Sequence, residues 1–122
     1  MDSNKYLAWA MTKDRTDQGY LEHGNKNFTG NSYRMINAAL GISGEAGEVV
    51  DIIKKHTQFN KELDKAHLKE ELGDLLWYVA LMLKTIDSDF EEIMLLNIDK
   101  LNIRFPSAFS EEKALKREDE GA

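Results

Sequence analysis

Four acids at matched spacing are the part of this chain best suited to chemistry. Glu45 and Glu48 stand in EAGEVVDII (45–53), and Glu71 and Asp74 in ELGDLLWYV (71–79). Both stretches read acid, any residue, glycine, acid, then mostly apolar positions. Residues at i and i+3 share a helix face, so each stretch projects a pair of carboxylates. Twenty-two residues lie between Glu48 and Glu71, room to finish one helix, turn and return antiparallel so that the pairs meet. Four carboxylates converging beside apolar packing repel one another and cannot all stay ionised unaided. A hard divalent cation with oxygen ligands resolves this, Mg²⁺ in the first place, with Mn²⁺ as a substitute. The HExxH pattern of zinc proteases is absent. So is the Glu-x-x-His of di-iron bundles, the nearest match being Asp64 to His67, outside the pairs. A lone ExxE is ordinarily a solvated helix face. The matched recurrence, inside apolar sequence, is what points to a site.

Glycine accompanies both pairs. Gly41, Gly44 and Gly47 recur every third residue and Gly73 sits inside the second pair, although each costs roughly 1 kcal/mol against alanine in a helix interior. The expectation is that they let the two backbones approach closely and leave room for a phosphate chain. A complementary set lies further on, in NIDKLNIRFP, where Asn97, Lys100 and Arg104 follow one another at i, i+3 and i+7. An amide, an ammonium and a guanidinium on one stripe suit phosphate oxygens, with arginine able to bind as a fork. Cations near a helix C-terminus also complement its dipole, so this stripe alone is a weak signal.

Helices must position these groups, and the sequence favours them. One proline, Pro106, leaves nearly the whole chain free to be helical. Four helices are expected, over about 2–13, 33–57, 64–86 and 89–104, with Ser32 as N-cap of the second. The connection DRTDQGYLEHGNKNFTGNS is long for a structureless loop, and such loops are usually functional or mobile. Residues 1–109 read as one helical domain, and 110–122 as a charged, solvated tail. The fold class is all-α, a four-helix bundle around an antiparallel central pair.

Composition narrows the function. A chain of 122 residues is one domain by length. A formal charge of -6 argues against a nucleic-acid footprint, though not against a small phosphate ligand. The absence of cysteine excludes disulfides, thiolate metal sites and cysteine nucleophiles. No apolar run is long enough to span a bilayer and the start lacks a signal peptide's apolar stretch, so no membrane partner is expected and the cytoplasm is the default location. Trp9, Trp77, Tyr20, Phe28 and Tyr33 could stack on a base, against the commoner role of packing or oligomer contact. His23, His56 and His67 read as surface residues.

GEAGEVVDIIKK, KEELGDLLWYVALM and the ending NIDKLNIRFPSAF together resemble the MazG-type, all-α nucleoside triphosphate pyrophosphohydrolases, over roughly residues 30–109. The resemblance implies hydrolysis of a nucleoside triphosphate between its α- and β-phosphates, giving a monophosphate and pyrophosphate. By the same resemblance Glu45, Glu48, Glu71 and Asp74 hold Mg²⁺, with one glutamate, Glu48 by choice, orienting or deprotonating the attacking water. Lys100 and Arg104 grip phosphates with Asn97 nearby, and Tyr78 matches a tyrosine that touches the nucleotide in some relatives. Trp77, three residues after Asp74, stands near the site. Lys54 and Lys55 could reach phosphates or remain surface charges. Relatives are dimers or tetramers, so a homo-oligomer is expected. A phosphoribosyl-ATP pyrophosphohydrolase, a dUTP- or dCTP-specific enzyme, and a non-catalytic helical module that keeps the metal site are the alternatives.

Overall fold

The computed structural model describes residues 1–106; the charged tail at 110–122 lies outside them. Five helices follow one another: α1 (Ser3–Met11), α2 (Thr16–His23), α3 (Gly30–Gln58), α4 (Lys65–Thr85) and α5 (Phe90–Arg104). There is no strand among the described residues. All four expected helices are present, and α2 corrects the reading of the 14–32 connection as loop. Its helix is weakly amphipathic and short, so periodicity could not reveal it. Asp14 accepts from the Thr16 backbone N–H at its start.

Local chemistry fixes the other ends. Asp2, Asp64 and Asp89 each accept from the backbone N–H three residues on, satisfying donors that a first helical turn leaves unpaired. The third helix begins earlier than Ser32 suggested. Thr29 is its cap, accepting from the Ser32 N–H at 3.1 Å. After α4 the chain turns through Asp87, whose φ of 53° is the left-handed conformation that aspartate tolerates. Ser88 N–H then donates to the Leu83 carbonyl at 3.0 Å, which closes the helix end.

The α3–α4 pair dominates the packing, with α1 laid on α4, α2 on α3, and α5 against α1. Asn31, near the start of α3, donates to the carbonyl of Thr85, the last residue of α4. Ala10, Ala38 and Ala80 are wholly buried, small side chains that let helices come close. Among the described residues the other buried apolar side chains are Ile52, Leu81 and Leu83. This is a thin core. Much apolar surface stays in contact with solvent, above all on α5, where Met94, Leu95, Leu96, Ile98 and Ile103 are all exposed.

One buried polar cluster ties the α1–α2 corner to the central pair. Arg34 on α3 donates from Nε to Asp14 at 2.9 Å and from Nη2 to Asp17 at 2.5 Å. Lys84 on α4 stands 3.4 Å from the same Asp14 carboxylate. The Asp14 and Arg34 side chains are only 3% and 8% exposed. Burial pushes the Asp14 carboxyl up, but hydrogen bonds from Thr16 and Arg34 and the guanidinium charge outweigh it and hold the group below its usual range.

Candidate functional site

Glu45 on α3 meets Glu71 and Asp74 on α4. One carboxylate oxygen from each lies within 4.8 Å of the other two. The helical register puts them there: Glu71 and Asp74 share a face of α4, and Glu45 comes from the facing helix. Glu45 is the most perturbed. The hydrogen bond it shares with Glu71, its desolvation, and repulsion from Glu71, Asp74 and Glu48 push its carboxyl up to about 7. Its Oε2 is enclosed and has no hydrogen-bond partner. An enclosed acceptor with no donor beside two further carboxylates is an electrostatic deficit that a divalent cation would remove, and three oxygens of this kind are the donor set Mg²⁺ takes. The residues fit such an ion.

Glu48 stands outside that trio. It is exposed one turn further along α3, near enough that its charge acts on Glu45. Two groups around the trio escaped the reading of the sequence. His67 Nε2 lies 3.1 Å from Glu71 Oε1; the i, i+4 spacing on α4 was the available signal, and a surface role hid it. Tyr6 on α1 lies close enough to Asp74 for its phenol to be pushed up, chiefly by burial and then by that carboxylate. The apolar stripe of α1 gave no sign of this.

The glycines divide. A Cβ at Gly41 would fall inside the ring of Tyr78, so this position requires glycine, as expected. At Gly44, Gly47 and Gly73 a Cβ would meet nothing within 4 Å. Close approach, expected between the two backbones at all four, is therefore found at Gly41 alone, and what comes close there is the Tyr78 ring. The other three face open space, because α3 and α4 touch along a narrower seam than the repeated spacing suggested.

Tyr78 is one turn beyond Asp74, packed edge-on against Trp77 with ring centroids 5.1 Å apart. Trp77 itself donates from Nε1 to the Ala10 carbonyl at 3.3 Å, tying α4 to α1. Of the expected phosphate-binding residues, Asn97 and Lys100 are exposed on α5, and the structure does not bring them onto the trio of acids. Arg104, at the end of the same helix, is half-buried. Lys54 is exposed on α3, while its neighbour Lys55 pairs with Asp51 at 3.0 Å.

A cavity of about 600 Å³ opens beside the Gly41–Tyr78 crossing, one turn along the seam from the acids. The α1–α2 corner at 13–16 forms one wall; Asn37, Leu40, Trp77 and Leu81 line the other.

Comparison with known proteins places the chain in a family. Gene 37 protein of Mycobacterium phage L5 is 34% identical over 73 residues, covering 53% of this chain and 60% of that protein. The chain thus spans less than two thirds of that relative's length. No solved structure matches the chain significantly. The model of the MazG nucleotide pyrophosphohydrolase domain matches residues 35–109, a stretch holding all four acids, the Gly41–Tyr78 crossing and the α5 stripe. The chain belongs to the MazG nucleotide pyrophosphohydrolase domain family.

Proposed function

We propose that this protein is a Mg²⁺-dependent nucleotide pyrophosphohydrolase that cleaves ribo- or deoxyribonucleoside triphosphates between the α- and β-phosphates, releasing a monophosphate and pyrophosphate. The convergence of Glu45, Glu71 and Asp74, with a carboxylate oxygen enclosed and unpartnered, carries the reading, in a chain of this family. The contacts from Asn31 to Thr85 and from Glu45 to Glu71 and Asp74 support an antiparallel α3–α4 pair.

Glu45, Glu71 and Asp74 would hold the cation, with Glu48 completing the set or taking the proton from the attacking water. When bound, Mg²⁺ supplies charge neutralisation of the phosphates and a lowered pKa for water. His67, within hydrogen-bond distance of the Glu71 carboxylate, would give it the outer support that metal-binding carboxylates ordinarily have. Lys100 and Arg104, with Asn97, would stabilise charge developing on the leaving pyrophosphate, and Lys54 could meet a phosphate at the rim. Tyr78 and Trp77 would contact the nucleoside. Atoms balance without a covalent intermediate: water adds to the α-phosphorus, the bond to the bridging oxygen breaks, and the proton passes to a carboxylate.

The apolar face of α5 supports a homodimer or homotetramer. A helix with exposed residues at 93–96, 98, 101 and 103 is poorly suited to water on all those sides. Pyrophosphate release from a panel of nucleoside triphosphates and phosphoribosyl-ATP, with Mg²⁺ and with EDTA, tests the reading. Release from one or more triphosphates, abolished by EDTA and by Asp74→Asn, is expected. No release from any member sinks the enzymatic assignment.

A further inference from the structure

The cavity beside the Gly41–Tyr78 crossing is built from parts that the metal chemistry does not use. Its volume, about 600 Å³, falls within the roughly 300–1,000 Å³ of small-molecule sites. Trp77, Tyr78 and Tyr33 give it aromatic walls. Asn37, two turns before Glu45 on α3, lines it half-buried, and its side chain makes no hydrogen bond among the described residues. An amide offers two donors and an acceptor, and partial burial without a partner leaves that capacity for a ligand. The opposite wall, Lys13 to Thr16, is held in place because Asp14 is locked to Arg34 and Lys84. Gly41 keeps a side chain out of the opening, and Tyr78 belongs to both the seam and the cavity.

We infer that this cavity receives the base of the nucleotide and that Asn37 is the residue that selects among bases, by hydrogen bonding the heterocycle's edge while the aromatic walls take its faces. This rests on the nucleotide reading of the site. It adds that selectivity comes from the α1–α2 corner and α3, and not from the phosphate-binding residues of α5. Stacking accepts any base, so the amide on the wall is what discriminates. Glycine at 41 then has a second consequence: a methyl group there would displace the Tyr78 ring, which is one of the cavity's walls.

The test is binding in EDTA, which leaves the metal out of the readout. The indole N–H of Trp77, one of only two tryptophans, is followed by NMR while the four deoxynucleoside monophosphates and, separately, inorganic phosphate are titrated in. The parent protein should show a saturable Trp77 shift that ranks the bases, the best at least about tenfold tighter than the worst, as roughly one well-placed hydrogen bond provides. Inorganic phosphate should not move it. Asn37→Asp, which exchanges donors for acceptors at constant shape, should reorder the bases, and Asn37→Ser should flatten the ranking; a thermal melt of each checks folding, and either folded variant suffices. An unchanged ranking in a folded variant overturns the inference. So does a Trp77 signal unmoved by any monophosphate at millimolar concentration, or moved equally by phosphate alone. Base-ranked binding without pyrophosphate release from any triphosphate would leave the cavity assignment standing and remove the catalytic one. Release without base-ranked binding would do the reverse.

Discussion

Gly41→Ala and Gly47→Ala make the same chemical change on the same helix six residues apart, and the structure gives them opposite signs. Alanine gains about 1 kcal/mol over glycine in a helix interior at either position. At 47 the new methyl meets nothing within 4 Å, so most of that gain should appear as stability, about 0.5–1 kcal/mol. At 41 the methyl lands in the Tyr78 ring. The ring must rotate away from its edge-on contact with Trp77 or the helices must part, and forcing extra atoms into packed contact typically costs about 1–3 kcal/mol. Helix propensity cancels in the comparison, so the two variants should differ by that overpacking cost alone.

For a domain of this size about 1 kcal/mol corresponds to about 4 °C in melting temperature. Gly41→Ala should therefore melt about 4–12 °C below Gly47→Ala, measured by circular dichroism in EDTA at one protein concentration. That last condition matters, because self-association makes the midpoint depend on concentration. Combining Gly41→Ala with Tyr78→Ala should erase the penalty, as the methyl then enters the space the ring vacated. If Gly41→Ala melts as high as Gly47→Ala while Tyr78 is present, the seam does not close at this crossing and the geometry argued from it fails.

Other perturbations follow from the same contacts. Mg²⁺ should raise the melting temperature more than NaCl of equal ionic strength, because binding to the folded state alone at 100 times the dissociation constant adds about 2.7 kcal/mol; equal shifts would mean the acids form no common site. Glu45→Gln should melt no lower than the parent in EDTA, having shed a carboxylate crowded by Glu71 and Asp74, and should lose the Mg²⁺-specific shift; a retained shift would exclude Glu45 as a ligand. Arg34→Met should cost about 2–4 kcal/mol in a denaturant titration, somewhat less than a broken buried pair usually does, because Lys84 still faces Asp14; a loss under 1 kcal/mol would show the cluster to be incidental. Asp14 has a depressed carboxyl pKa, so its contribution is complete above its unfolded value of about 3.9 and fades as pH falls through the lower folded one. Stability of the parent should therefore drop below about pH 4, and Asp14→Asn should flatten that acid limb; an unchanged limb would place its cause elsewhere.

Much of the fold was legible because it rests on local rules. Asp64 and Asp89 cap where short polar acceptors before apolar runs say they should, and α3, α4 and α5 start and stop within a few residues of the expected bounds. What was missed lay where local signals are weak or compete. Ser32 and Thr29 are both competent caps, and the one three residues back takes the role, accepting from the other's backbone N–H. Helix α2 has little amphipathic pattern; it is held by tertiary bonds from Arg34 to Asp14 and Asp17, partners twenty and seventeen residues away that no local window contains.

The site divides along the same line. That Glu45, Glu71 and Asp74 converge follows from spacing on two helices, and spacing is written in the sequence. Which glycine allows the convergence is not, because the repeat at 41, 44 and 47 turns by about 60° per step short of a full circle on a helix of 3.6 residues per turn. Such a repeat cannot keep every member on one narrow seam. Gly41 falls on it and the others drift off toward solvent. Glu48 lies outside the trio, although Asp74 at the same offset from Glu71 lies within it, yet Glu48 is close enough to load Glu45 electrostatically. In the proposed reaction a fourth carboxylate in that position would swing onto the cation without being forced against the other three in its absence. With Glu48 exposed and outside the trio, the protein carries less standing repulsion than four converged carboxylates would, and that is the physical basis for giving it the proton in the proposed reaction.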